Sequence, residues 1–529
     1  MKKRLVIIFG TLAVLLSVLY MRVAYIMTSP KYLSAEKNQG SYSISTKPNR
    51  AMIYDCYLNP LVNTKEKLMA AVMPCPENIP QLTSSSILDS KEDINALIKT
   101  GKPFLVGVNS SNISIPFVDI ISEKVRTDET QLASHIVGYT DAQNNGVTGI
   151  EKSFNEYLNR QSSKTTISYQ VDGVGRPLFG SNAQITLASQ TQAGVVLTLD
   201  KKVQSICEEV GNKYIKKGAI VVMEPSTGKI RASCSFPSIN VNRLSSQMKD
   251  NENKPLINRA LLSYNVGSTF KIVTLAQALT QKIDTATSYC CKGSIDVCGQ
   301  QFNCHKQSGH GTLNMKTALE MSCNPYYINL AGMLDKKSFL DMASDLSFGK
   351  PTVLAPSLIS SAGYLPTLQQ LYNPADVANF GFGQGVLMAT PIQLSQMICA
   401  VVNNGSLYAP SLVEGFTENG LDIIDKQKQA APLHALSSDV AATIKNYLIS
   451  CVMDVYDQNA KPTLSTAGGK TATAQTGIFS GQKEIVRAWF CGFFPADNPK
   501  YVITVLNEDG DNGNASASPV FKEIVDKLY

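Results

Sequence analysis

Residues 5–21 carry no charged side chain, and Lys2, Lys3 and Arg4 stand directly before them. Arg22 interrupts the run, and residues 23–27 continue it. A helix crossing a bilayer needs roughly 20 apolar residues, and an arginine near its end can extend its charge to the interface. Whatever else the chain folds into is therefore carried on one anchor helix. The basic residues ahead of it place the N-terminus in the cytoplasm and everything after it outside. A cleaved signal peptide is the competing reading. Small residues in an A-x-A arrangement are missing around Ala24 and Ser29, so an uncleaved anchor is expected. No later segment is long and apolar enough for a second span.

With 529 residues the chain exceeds one ordinary domain, and its length points to two to four. Apolar residues make up 44% and charged ones 17%, enough to bury a sizeable core and unlike a disordered chain. A net charge of +6 at this length argues against a dedicated nucleic-acid binder, and no nucleic-acid partner is expected. After the anchor, residues 42–54 alternate as an extended segment. Residues 149–158 read as a short amphipathic helix, and 162–193 as a polar stalk or hinge with strand-like alternation.

The pattern changes at residue 195. A strand there leads to a helix carrying Val203, Ile206, Cys207 and Val210, and then to a hairpin turning on Pro225 and Gly228. Thr390-Pro391-Ile392-Gln393 is a capping box with proline at the first helical position. That helix turns Leu394, Met397, Ile398 and Val401 inward and stops at Asn403-Asn404-Gly405. Residues 489–494 and 501–506 read as buried strands. Helices set between antiparallel strands give an α+β domain.

Within it, Ser268 and Lys271 lie one turn apart at the start of a helix whose Ile272, Leu275, Ala276 and Leu279 recur at helical spacing. A serine hydroxyl becomes a nucleophile when a base takes its proton, and a buried lysine amine can be that base. Alone, S-x-x-K is common by chance. Here it is followed in order by Ser322-Cys323-Asn324 and by Gly469-Lys470-Thr471-Ala472-Thr473. The order S-x-x-K, S-x-N, K-T-x is that of penicillin-recognising serine enzymes.

On these motifs the chain resembles the class B penicillin-binding proteins. Further matching stretches are the anchor, the segment from Arg50 to Asp55, Gly149-Ile150-Glu151, Asn258-Arg259-Ala260 and Gly383-Gln384-Gly385. The resemblance implies the penicillin-binding transpeptidase fold, an antiparallel sheet packed between helices. The expected division is a cytoplasmic tip and anchor over 1–28, an elongated pedestal or dimerisation-like domain over 29–194, and a transpeptidase domain over 195–529. The implied activity is D,D-transpeptidation, cross-linking peptidoglycan stem peptides delivered on lipid-linked precursors, with no cofactor required for acyl transfer. Ser268 would attack the D-Ala-D-Ala carbonyl with Lys271 as base, and Ser322 would pass a proton to the leaving amine. Asn324 would bind the substrate backbone, and Lys470 and Thr471 its carboxylate. The N–H groups of Ser268 and Thr473 would form the oxyanion hole. β-Lactams would trap Ser268, and a membrane glycosyltransferase is the expected partner.

Two positions depart from the family pattern. Ala472 stands where glycine is usual, on the face of Lys470 by strand period, so its methyl is expected to narrow the cleft and alter β-lactam susceptibility. Val266 stands where proline is common. Rival readings are a β-lactam sensor or β-lactamase-like protein, and a catalytically idle scaffold of wall synthesis. The anchored N-terminal motifs argue against the first, and the intact serine and lysines against the second. A P-loop ending at Gly469-Lys470-Thr471 fails because Leu464 occupies the required glycine position.

Twelve cysteines are unusual for an exported protein of this size. Cys290, Cys291, Cys298, Cys304, His305, His310 and Cys323 gather between the two serine motifs. Their spacing matches no standard zinc finger, so reduced buried thiols and a Cys304–Cys323 disulfide stand beside a metal site. Zinc takes cysteine and neutral histidine in fours. The expected ligands are Cys291, Cys304, His310 and Cys323, with Cys298 as the alternate.

Overall fold

The computed structural model describes residues 2–29, 40–84, 93–180, 182–187, 191–456 and 458–529. The chain forms two compact units, and the first comprises Met1–Arg50, Thr64–Arg126 and Ser162–Gln190. It contains helix α1 (Lys2–Thr28), long and apolar enough to cross a membrane. It also contains two three-stranded sheets. One orders Ser41–Ser45, Thr166–Gln170 and Gln184–Thr186, and the other Phe104–Gly107, Lys65–Val72 and Val118–Val125. Successive side chains of a strand point to opposite faces. Ala70 and Val72 accordingly enter one apolar cluster with Val106, while Ala71 and Met73 join Ile167 and Tyr169 in another. The stretch read as a stalk thus contains two paired strands, although 181 and 188–190 lie outside the described residues.

The second unit comprises Ala51–Asn63, Thr127–Gln161 and Thr191–Tyr529. The expected division has contiguous parts over 1–28, 29–194 and 195–529, whereas the two compact units interleave along the chain. Strand Met52–Tyr54 pairs in parallel with Gly194–Leu197, which draws this early segment into the second unit.

The heart of that unit is an antiparallel sheet of β1 (Gly218–Met223), β2 (Ile230–Phe236), β3 (Gly468–Ser480), β4 (Lys483–Phe494) and β5 (Tyr501–Asn507), ordered β2-β1-β5-β4-β3. Helices α2 (Lys201–Tyr214), α3 (Lys271–Thr280), α4 (Asn324–Gly332), α5 (Pro391–Val402), α6 (Ser438–Met453) and α7 (Ser518–Leu528) surround it. Strand alternation separates two cores. Ile220, Val222, Phe490, Ile503 and Val505 pack with Val203 and Cys207 of α2 and Phe521 of α7. Ala219, Val221, Trp489 and Cys491 pack with α3, α5 and α6 through Ile272, Met397 and Ile444.

The caps follow local chemistry. Asp200 accepts the Lys202 and Val203 N–H groups at the start of α2, and Thr390 and Gln393 close a reciprocal capping box on α5. Every residue of α5 is buried, which explains a helix with no charged face.

Candidate active site

Ser268 sits on a tight turn, Gly267–Phe270, that feeds α3. Gly267 has φ +59°, and a Cβ there would lie 3.1 Å from Ala474 of β3. Its N–H donates to the Gly383 carbonyl at 2.9 Å. Gly383 has φ +83°, and a Cβ added to it would fall 1.9 Å from the Gly267 carbonyl oxygen. Both positions need glycine, for backbone conformation and for space. The Ser268 turn is therefore held between β3 and the Gly383 loop.

Lys271 is fully buried on the first turn of α3. Its Nζ donates to the Ser322 carbonyl at 2.7 Å, to Asn324 Oδ1 at 2.8 Å and to Ser322 Oγ at 3.3 Å. The Tyr327 ring lies 5.6 Å from the same nitrogen. Burial, reinforced by the charge of Lys470, pushes the Lys271 ammonium well below its ordinary range. Among the described residues no hydrogen bond joins Lys271 to Ser268 Oγ. Such bonds often close only when substrate is bound.

Ser322 adopts φ +50°, a left-handed conformation that a non-glycine residue enters at a cost. The turn is fixed by Ser322 N–H to Leu319 and Cys323 N–H to Ala318. Asn324 then opens α4 with Pro325 in its first turn. The motif thus leaves one helix and starts another, presenting both polar side chains to Lys271.

Lys470, Thr471 and Thr473 lie on β3, at the edge of the sheet. Burial lowers the Lys470 ammonium too. Thr471 is half-buried and Thr473 exposed, with Thr473 Oγ1 accepting the Gly513 N–H at 3.2 Å. Ala472 corrects an expectation. It shares the face of Lys470, but that face is buried: Ala472 is 2% exposed, stands opposite Trp489 and belongs to the helical core. Its methyl fills core space and does not narrow an open cleft.

The cysteine-rich segment folds into two small hairpins. Tyr289–Cys291 pairs with Gly311–Leu313, and Ser294–Val297 with Gln300–Asn303. Cys291, Cys304, His310 and Cys323 converge so that their ligand atoms lie within 4.8 Å of one another. Cys304 Sγ is 3.4 Å from His310 Nδ1. Hydrogen bonding between Cys304 and Cys323 holds the Cys304 thiol well below its ordinary range and pushes Cys323 up. Cys298 is exposed at a hairpin turn and lies outside the group, and all twelve cysteines carry free thiols. Asn303 accepts the Asn324 side-chain amide through its carbonyl at 3.3 Å, joining the hairpins to the second serine motif.

Some supporting contacts have no short-range sequence signal. Trp489 Nε1 donates to the Asn265 carbonyl at 2.9 Å, and Glu508 accepts from both Arg259 and Tyr264. Asn258-Arg259-Ala260 and Gly383-Gln384-Gly385 were visible as family stretches, but not their roles.

The penicillin binding protein transpeptidase domain family matches residues 218–526. Over 99% of this chain and 85% of the relative, the sequence is 28% identical to stage V sporulation protein D of Bacillus subtilis (strain 168). It is 26% identical to peptidoglycan D,D-transpeptidase PbpA of Mycolicibacterium smegmatis, over 70% of this chain and 78% of the relative. Among solved structures, the ceftriaxone acyl-enzyme complex of penicillin-binding protein A from M. tuberculosis superposes with a TM-score of 0.67 at 20% identity. That match covers 91% of this chain and 98% of the other. The D,D-transpeptidase domain of a peptidoglycan glycosyltransferase from Eggerthella lenta gives 0.65 at 21%, with the same coverage. These structural likenesses support the fold.

Proposed function

Since this chain belongs to the penicillin-binding protein transpeptidase family and is a class B peptidoglycan D,D-transpeptidase, we propose that it works through an acyl-enzyme on Ser268. Lys271, as the free amine, takes the Ser268 proton while Oγ attacks the D-Ala-D-Ala carbonyl. The tetrahedral oxyanion rests on the N–H groups of Ser268 and Thr473. Ser322 relays a proton to the departing D-Ala amine, and the C–N bond breaks to leave a Ser268 ester. An amine of a neighbouring stem peptide attacks that ester, the new amide forms, and Oγ regains its proton. Asn324 aligns the donor backbone, and Lys470 with Thr471 receives its carboxylate.

The observation that carries this reading is the fully buried Lys271, hydrogen-bonded to both polar residues of the S-x-N motif and depressed by burial and by Lys470. Labelling by a fluorescent penicillin that disappears in Ser268→Ala, with cross-linked product formed from donor and acceptor stems, is the expected result. Label without cross-linking would favour a β-lactam sensor or β-lactamase-like protein, and no label a scaffold. The acyl-enzyme neighbour in the same fold supports β-lactam trapping at Ser268.

α1 is the membrane anchor in this proposal, with a cytoplasmic N-terminus and an extracytoplasmic catalytic unit beside a membrane glycosyltransferase. Protease protection in intact cells tests the orientation, and co-purification with that glycosyltransferase tests the partner.

Cys291, Cys304, His310 and Cys323 are read as ligands of a structural zinc. Zinc with Zn–S bonds of about 2.3 Å would draw its ligand atoms to about 3.8 Å from one another, inside the 4.8 Å that bounds these four here. The ion takes no part in acyl transfer. It would hold Cys323, between Ser322 and Asn324, to the hairpins. One zinc per chain, and a drop in acylation rate and thermal stability on chelation, are expected. No bound metal and no effect of chelator would sink the assignment.

A further inference from the structure

The segment from Arg259 to Gly267, which delivers the nucleophile, is tied to the central sheet at successive points. Arg259 is 4% exposed. Its guanidinium donates to Glu508 Oε1 at 2.9 Å, to the Lys254 carbonyl at 3.1 Å and to the Asn253 carbonyl at 2.6 Å. A buried guanidinium requires such complete pairing. The Tyr264 hydroxyl donates to the same Glu508 oxygen at 2.8 Å. Tyr264 also exchanges both backbone hydrogen bonds with Ala389 at 2.9 Å, and its ring meets Trp489 edge-on at 6.1 Å. Asn265 and Gly267 follow, bound to Trp489 and to Gly383.

Glu508 itself is held firmly. It follows the last residue of β5, its N–H donates to the Lys217 carbonyl at 2.8 Å, and its own carbonyl accepts Arg487 Nη1 at 2.8 Å. Arg487 stands opposite Ala474, the residue against which Gly267 packs. One carboxylate therefore fixes both ends of the Arg259–Tyr264 segment to the rigid centre of the sheet. The Tyr264 hydroxyl lies only four residues before Ser268. Displacing a reacting atom by about 1 Å can cost on the order of 100-fold in rate.

We propose that Glu508 and Tyr264 are positioning residues for the transpeptidase, acting through the backbone of Asn265 to Gly267 to set Ser268 Oγ against Lys271 and the oxyanion site. The inference rests on the reading of Ser268 as nucleophile. Tyr264→Phe keeps the ring packing and removes the anchoring hydroxyl. Glu508→Ala frees both donors, while Glu508→Gln keeps an oxygen acceptor.

The test follows acylation of the full chain in detergent by a fluorescent penicillin, separating the rate constant at saturation from the half-saturating concentration. Thermal midpoint and final labelled fraction are read alongside. Expected are a drop of about tenfold in the saturating rate for Tyr264→Phe and a larger one for Glu508→Ala. Half-saturation and the final labelled fraction should stay unchanged, with partial rescue in Glu508→Gln. Wild-type saturating rates in Tyr264→Phe and Glu508→Ala would overturn the proposal. So would losses seen only as a smaller labelled fraction or a lower thermal midpoint, since those mark a merely structural role. If the wild-type chain took no label, the Ser268 reading would fall and this inference with it.

Discussion

Lys271 Nζ stands 2.8 Å from Asn324 Oδ1, so the residue meant to accept a proton from Ser268 is bound to a residue meant to hold the substrate. Burial and Lys470 both favour its neutral amine. The saturating acylation rate should therefore rise with pH, as the amine is freed, through an apparent pKa below the ordinary lysine value of about 10.4. Lys470→Gln removes a repelling charge and should move that limb to higher pH. Lys271→Arg keeps a cation that cannot act as base and should slow labelling by about 10³-fold. Stopped-flow labelling across pH checks all three, and a profile indifferent to Lys470 would count against the coupling.

Gly383→Ala should be damaging although position 383 bears no chemistry. The added methyl meets the Gly267 carbonyl oxygen in a left-handed conformation, so the backbone behind Ser268 must yield. A loss of about 2–4 kcal/mol in stability is expected for strain with overpacking, together with acylation at least tenfold slower. Denaturant melts and label kinetics measure the two separately. Wild-type values for both would show that the loop relaxes freely.

Ala472→Gly should act on stability far more than on drug reactivity. The methyl is buried opposite Trp489, and glycine within a strand costs about 0.5–1 kcal/mol in chain entropy alone. A thermal midpoint lowered by a few degrees, with penicillin acylation within about threefold of wild type, is the expected pattern. A large gain in acylation would restore the view of Ala472 as an obstacle in the cleft.

His135 supplies an acid-side stability term. Its ring is buried against the Pro255 carbonyl at 2.7 Å, and burial pushes it down to about 4. Since the folded value lies below the unfolded one, near 6.5, the unfolded chain binds the extra proton between them. The contribution is present above pH 6.5 and is lost as pH falls toward 4, with an upper bound of about 3 kcal/mol. Melting curves from pH 7 to 4 should flatten in His135→Gln; an unchanged slope would remove His135 as the cause.

The candidate motifs were legible in the sequence because each one is local. Ser268 and Lys271 share a helix turn, and Lys470 and Thr471 share a strand. The capping box at Thr390 and the buried helix after it were equally local, and both stand as read. What escaped depends on chain returns across long separations. Nothing near Tyr264 announces Glu508, which arrives only when β5 is placed at the centre of the sheet. The left-handed Ser322 is hidden in an ordinary serine. Strand period put Ala472 on the right face but could not say that the face was buried. The interleaved units were also invisible, because the parallel pairing of Met52–Tyr54 with Gly194–Leu197 leaves no short-range mark.

Trp489 is the chain's sole tryptophan, and its indole N–H is spent on the carbonyl of Asn265, three residues before Ser268. Indole emission responds to hydrogen bonding and local polarity, and no second indole contributes a background. The protein thus carries an intrinsic fluorophore at the root of the Ser268 turn. A shift in that emission during acylation would give a label-free optical record of how far the turn moves when Ser268 is occupied.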